Sequence, residues 1–207
     1  MTERAPRLLD WARRLQAIAQ TGVAYGDPHV YDRERYEQVR TIAAEMLASQ
    51  GDVAALDARL ALETGHATPK IDVRGVVFRR DAILLVREQG VWELPGGWAD
   101  VGESPSESAV REVLEESGFM TRAVKLLALQ DRDRRGYPPH QWHVWKAVFL
   151  CELTDGRQAA LESETDDARF FLRNELPTPL RYDQATQALI ERAFEHKEHP
   201  EWPTDFD

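Results

Sequence analysis

Three glutamates, Glu112, Glu115 and Glu116, crowd together inside a stretch that runs from Gly96 to Phe119. A helix turning by about 100° per residue would gather them within about 100° of arc. Carboxylates so placed repel one another unless positive charge sits among them. A hard divalent cation takes oxygen ligands, and this is the chemistry such a cluster serves. Arg111 lies one turn ahead of Glu115 and can pair with it, and Glu103 can fold back onto Arg111. Gly96 and Gly97 carry no side chain, so their backbone can approach a metal or a phosphate closely. An acidic helix face turned to water is the ordinary alternative, and the spacing of three glutamates does not by itself displace it.

The helix that must hold these groups is marked at both ends. Ser104 is an N-cap, Pro105 occupies the first helical position, and Glu107 stands three residues after the cap, which makes a capping box. Gly118 is a C-terminal cap. Ala109, Val110, Val113 and Leu114 fall mainly on the side opposite the carboxylates and predict the face that packs inward.

The full segment decides between the two readings. Gly97, Glu103, Arg111, Glu112, Val113, Glu115, Glu116, Gly118 and Phe119 fill every position of the pattern G-x5-E-x7-R-E-U-x-E-E-x-G-U, where U is apolar. At ordinary residue frequencies such a match arises by chance on the order of once in 10⁷ chains. The segment resembles the Nudix box. The resemblance implies an α/β fold, an α/β/α sandwich around a mixed sheet, in which the box forms a metal-binding loop–helix–loop. It implies Glu112 and Glu116 as principal metal ligands, Glu115 as a further ligand, the Gly97 carbonyl as a backbone ligand, and Arg111 with Glu103 as an orienting pair. The metal it implies is Mg²⁺, with Mn²⁺ as the alternative, and the reaction is hydrolysis of a pyrophosphate bond. The general base of such enzymes often precedes a late strand. Here Glu164 is the first candidate, with Glu162 and Asp166 next and Glu115 a rival within the box.

The chain around the box contains 207 residues, enough for one Nudix-sized domain and a smaller companion. Residues 1–66 read as an N-terminal helical domain and residues 70–207 as the catalytic domain. Leu8, Leu9, Trp11, Leu15 and Ile18 recur at helical spacing, and a break is predicted from Thr21 to Pro28. Asp32 is read as the cap of a second helix with Tyr36, Val39, Ile42, Ala43, Met46 and Leu47 on its apolar face. Asp52 opens a third with Val53, Leu56 and Leu60 inward. Val73–Phe78 and Ala82–Val86 predict a hairpin around Arg79–Asp81, and Trp92–Leu94 a short third strand. Further strands are expected near Ala123–Gln130, Trp142–Leu153 and Ala168–Leu172, then a helix over Asp183–Glu195 and an irregular tail.

Composition narrows the partners. The formal net charge of −10 disfavours duplex nucleic acid, whose phosphates reward Lys and Arg. The longest apolar runs are strand-sized, there is no apolar leader, and the single cysteine, Cys151, lies in an apolar run, so a cytoplasmic protein with no membrane span is expected. Trp98, Tyr137, Trp142 and Trp145 are candidates to stack on a base, though Trp142 and Trp145 would face oppositely on a strand. Arg132, Arg134 and Arg135 precede Tyr137 in a loop and could meet phosphates or the distal group, and His140 and His143 read as structural.

Outside the box, Ile18–Gly22, Tyr31–Tyr36, Pro69–Arg74 and Leu94–Asp100 look like the bacterial Nudix subgroup that carries an N-terminal helical domain and acts on X-linked nucleoside diphosphates. This resemblance implies a nucleotide substrate such as ADP-ribose or CDP-choline and a homodimer. Two alternatives are a house-cleaning pyrophosphatase for nucleoside triphosphates or dinucleoside polyphosphates and a Nudix-fold ligand sensor. A sensor would be expected to lose box carboxylates, and all are present.

Overall fold

The computed structural model describes residues 7–26, 30–48, 52–159 and 165–207. They fall into two compact units. One comprises the described residues up to Lys70 together with Pro138–His143, and the other comprises Ile71–Tyr137 and Val144–Asp207.

The first unit holds α1 (Arg7–Tyr25), α2 (Val30–Ala48) and α3 (Val53–Leu62). Asp52 caps α3 as expected, accepting from the Ala55 amide at 3.0 Å. Two expectations need correction. Helix α1 does not break at Thr21 but continues through Gly22, because the missing side chain makes room for the Tyr36 ring; a β-carbon at Gly22 would collide with it. Asp32 lies inside the first turn of α2, where it pairs with Arg35 at 2.7 Å, and is not the cap. The buried stripe of α1 is Ala12, Gln16 and Ala19, whereas Leu8, Trp11 and Ile18 are about half exposed, at 53%, 51% and 57%. Small residues let helices approach closely, and the larger ones are left on a second apolar face. Arg40 forks onto Asp57 at 3.0 and 3.4 Å and ties α2 to α3.

The second unit is the expected sandwich. Strands β1 (Lys70–Arg79) and β2 (Ala82–Glu88) form the hairpin, with Phe78 opposite Ile83 and Arg79 opposite Ala82. β3 (Val91–Glu93) and β6 (Asp167–Leu172) both pair with β2. β4 (Phe119–Asp131) pairs antiparallel with β5 (Val144–Gln158). The sheet runs β3-β2-β1-β5-β4-β7, with β6 on β2. Two helices, α4 (Pro105–Ser117) and α5 (Gln184–Glu198), cover it. The run Ile83–Val86 shows why: Ile83 and Leu85 join a core with Leu189, Ile190 and Phe194 of α5, while Leu84 and Val86 join one with Val113 of α4. A strand buried on both faces reads as a continuous apolar run. Cys151 is buried in the α4-side core.

Two further differences concern ends. β5 starts at Val144, so Trp142 lies outside the strand. The tail is not irregular throughout: Asp205–Phe206 form β7, parallel to β4. Among the described residues, no helix is long and apolar enough to cross a membrane.

Candidate active site

Helix α4 is built as its sequence implies. Ser104 accepts from the Glu107 amide, the Glu107 carboxylate accepts from the Ser104 amide, Pro105 begins the helix, and Gly118 closes it in the left-handed conformation. Ala109 and Val113 are buried, but Leu114 is 40% exposed and does not join the inward face.

The opposite face carries the charges. Arg111 is their hub. Its Nε donates to both oxygens of Glu103 at 3.1 Å, and its Nη1 donates to Glu112 and Glu115 at 3.0 Å each. Its Nη2 lies 3.2 Å from Asp100. Glu103 also accepts from the Ser108 hydroxyl at 2.8 Å, which fixes it from a second side. Glu115 is half exposed, while the Glu112 side chain is only 14% exposed. Burial raises the Glu112 carboxyl, with Arg111 opposing. Burial pushes Glu116 up to about 8, against the pull of the Gly96 amide bond and the Arg74 charge.

The loop Glu93–Gly97 faces this helix. Its path is fixed by hydrogen bonds to β1: Gly75 N donates to Pro95 O at 2.9 Å, and Val73 N donates to Gly97 O at 2.8 Å. Gly96, at φ +144°, donates its amide to Glu116 Oε2 at 2.9 Å. A side chain at Gly96 would collide with the Val73 carbonyl. A β-carbon at Gly97 would lie 3.1 Å from both Glu112 oxygens, so glycine keeps the space in front of that carboxylate open.

These residues fit a hard divalent cation. The donors are all oxygen, and they include two carboxylates drawn out of water beside an open backbone cradle. The Gly97 carbonyl accepts one amide bond and retains a second lone pair. A bound cation would also reverse the effect of burial on Glu116, since a nearby positive charge favours the ionised form.

Behind the loop lies a buried ion cluster that the sequence reading did not single out. Arg74 forks onto Asp72 at 3.0 Å through both Nε and Nη2, and its Nη1 donates to Glu93 at 2.8 Å and to Leu94 O at 2.9 Å. Lys146 Nζ sits 2.6 Å from Asp72, and Arg181 contacts Glu93. Burial works to raise the Asp72 carboxyl, but Arg74 and Lys146 outweigh it and hold it below the usual range. Asp72 and Arg74, two apart on one strand, share a face, and that spacing was the available signal.

The substrate candidates divide. Trp98 is 47% exposed and bridges to Asp72 in the second unit. Arg132 and Tyr137 are buried: the Arg132 guanidinium lies 5.4 Å from the ring centroids of Tyr137 and Tyr182, and Lys146 Nζ lies 5.0 Å from Tyr137. Arg134 is exposed and lies 3.5 Å from Asp131. Trp142 belongs to the first unit, where Lys70 Nζ sits 5.0 Å from its ring. Glu162 and Glu164 lie outside the described residues, and Asp166 is exposed just before β6.

Two known family models match the chain. Residues 68–193 match the model of the NUDIX domain. The chain is a Nudix hydrolase. Residues 6–61 match a second model, described as a UDP-X-like, N-terminal oligomerisation domain. This Nudix chain is 42% identical over 203 residues to YjhB of Bacillus subtilis (strain 168), a protein provisionally named as an ADP-ribose pyrophosphatase, with 96% of each chain covered. It is 33% identical over 117 residues to the ADP-ribose pyrophosphatase of Methanocaldococcus jannaschii, covering 53% of this chain and 65% of that one. Among solved structures, a UDP-X diphosphatase matches at 32% identity and a TM-score of 0.60, covering 99% of this chain and 100% of its own. An ADP-ribose pyrophosphatase from Streptococcus suis 89-1591 matches at 37% and 0.60, covering 68% of this chain and 100% of its own.

Proposed function

We propose that this Nudix hydrolase cuts the pyrophosphate bond of a nucleoside diphosphate linked to a second group, with Mg²⁺ held by Glu112, Glu115, Glu116 and the Gly97 carbonyl. The observation that carries the reading is the cradle formed by Gly97 against Glu112, with Arg111 and Glu103 locked behind it. When bound, a divalent ion neutralises the pyrophosphate charge and makes water a better nucleophile. Glu103 and Arg111 orient Glu112 and Glu115. Glu164 is the proposed general base, with Glu115 the rival, and Trp98 is the proposed base platform. Residues 1–66 form the proposed helical domain and residues 70–207 the hydrolase domain.

The substrate class rests on similarity along nearly the whole chain to proteins named for ADP-ribose and UDP-X hydrolysis. ADP-ribose would give AMP and ribose 5-phosphate, and CDP-choline would give CMP and phosphocholine. The test is a panel of ADP-ribose, UDP-sugars, CDP-choline and nucleoside triphosphates with Mg²⁺, resolved by chromatography, with reaction in ¹⁸O-labelled water to name the attacked phosphorus. Turnover confined to triphosphates, or choline or inorganic phosphate as first product, would overturn the substrate assignment. In the same assay Glu116→Gln should lower kcat by about 10²-fold or more. Near-normal turnover in a folded variant would remove Glu116 from the metal site.

A further inference from the structure

The chain beyond α5 runs back along β4 as a strap. Lys125 Nζ donates to the carbonyls of Pro200 and Trp202 at 2.9 and 2.7 Å. The Trp202 ring stacks on His199 with centroids 4.5 Å apart, and the Arg192 guanidinium lies 4.5 Å from its centroid. Thr204 Oγ1 donates to Leu126 O at 2.7 Å. Asp205 takes the Arg192 fork at 2.5 and 2.7 Å, and Asp205 and Phe206 pair in parallel with Ala128 and Leu129.

At Asp207 the strap meets a turn. Asp207 Oδ2 accepts the Asp131 amide at 2.5 Å, and Oδ1 lies 2.7 Å from Arg135 Nη2. The Asp207 side chain is 18% exposed, low for a carboxylate on a surface segment. Asp131 and Arg135 bracket the 3-10 turn Arg132–Arg134, so one carboxylate grips both of its ends. Inside, Arg132 rests against Tyr137 and Tyr182, Tyr137 against Lys146, Lys146 against Asp72, and Asp72 against Arg74, which donates to Leu94 O two residues before Gly96. Asp72 is also the backbone partner of Trp98. Through the turn it grips, Asp207 is therefore linked by successive contacts to the glycine loop and to the backbone of Trp98 beside it.

We propose that Asp207 is a positioning residue: by holding Arg135 and the Asp131 amide, it fixes the Arg132–Tyr137 turn and so sets how the nucleoside portion of the substrate is seated beside Trp98. The placement of substrate rests on the proposed function, but the grip on the turn does not. A carboxylate bonded to a guanidinium and a backbone amide exerts directional force, because charge-assisted bonds are shorter and stronger than neutral ones. It sits at a surface, so its removal leaves both cores untouched.

The experiment compares the native chain with Asp207→Ala and Asp207→Asn. Amide hydrogen exchange is read by mass spectrometry in residues 131–137 and in β1 and β2. Tm is measured alongside, and KM and kcat are measured with Mg²⁺ on whichever panel compound is turned over. In Asp207→Ala, exchange over 131–137 should rise by about tenfold while β1, β2 and Tm hold. KM should rise by about fivefold with kcat within about twofold, the signature of lost binding that is uniform across ground and transition states. Asp207→Asn, which keeps an acceptor for the Asp131 amide, should fall between. Unchanged exchange over 131–137 would show that Asp207 does not hold the turn and would overturn the proposal. Faster exchange with unaltered KM would overturn the seating of substrate by that turn. A native chain that turns over no panel compound overturns the substrate reading, and the exchange result then decides the grip on its own.

Discussion

Both oxygens of Glu103 accept the same Arg111 Nε–H, at 3.1 Å each, while the other end of that guanidinium reaches Glu112 and Glu115. Arg111 is thus shared between Glu103 and two carboxylates that a cation held here would also claim. Neutralising Glu103 should shift Arg111 further onto Glu112 and Glu115 and make it a stronger competitor. Glu103→Gln is therefore expected to weaken Mn²⁺ binding, read by electron paramagnetic resonance, by about tenfold, the scale seen when partners of metal ligands are lost. Equal Mn²⁺ affinity in the variant would show that Glu103 has no hold over the site.

The two adjacent glycines should separate folding from chemistry. Gly96→Ala places a β-carbon against the Val73 carbonyl at a φ that side chains rarely adopt, so Tm should fall. Gly97→Ala meets the Glu112 oxygens at 3.1 Å instead, and that side chain can give. Tm should then hold while activity drops by about 10²-fold, on the scale of losing preorganised charge stabilisation. Melting curves alongside Mg²⁺-dependent turnover check both, and a Gly97→Ala enzyme of full activity would contradict the cradle.

Lys146 predicts a pH dependence. Burial lowers its ammonium from 10.5 to about 8, with Arg74 adding to the fall and Asp72 opposing it. The folded chain sheds this proton before the unfolded chain does. Between about pH 8 and 10.5 the unfolded state binds more protons, so this group's contribution makes stability rise with pH, whereas below about 8 it is constant. The Tm of the native chain relative to Lys146→Met should climb across that window. A flat difference would mean that Lys146 titrates as in water.

The half-exposed Leu8, Trp11 and Ile18 of α1 and the 49% exposed Ile42 of α2 leave apolar surface that three short helices do not cover. Residues 6–61 match a model described as an N-terminal oligomerisation domain, and pairing of two copies through this surface is the expected outcome. Sedimentation at micromolar concentration should give a dimer for the native chain and a monomer for Trp11→Glu with Ile18→Glu. A native monomer would count against it.

What the sequence disclosed follows from how local each feature is. Helix α4 was legible to the residue because Ser104, Pro105, Glu107 and Gly118 each act within four residues of their partners. The hairpin was legible because β-branched runs flank a short polar turn. The run of α1 through Gly22 was not, since a glycine that makes room for Tyr36 looks like one that ends a helix. The buried face of α1 was missed because its small residues, Ala12 and Ala19, carry little apolar weight beside Trp11 and Ile18. Only the Asp72–Arg74 spacing was legible in the Arg74 cluster, because Glu93, Lys146 and Arg181 come from three other segments that no spacing rule joins before the sheet does. β7 is two residues long and is defined by its neighbour β4.

The closed ends of α4 bear on how the site meets its ligand. The helix satisfies its own terminal groups through Ser104, Glu107 and Gly118, and Arg111 already gathers Glu103, Glu112 and Glu115. The protein's own bonds therefore hold Glu103, Glu112 and Glu115 in register. An ion held there would have little chain entropy to quench, and its affinity would reflect ligand charge and desolvation more than ordering. Occupancy should accordingly track ion concentration as a simple saturation, without the cooperative disorder-to-order transition of a site that forms only around its metal.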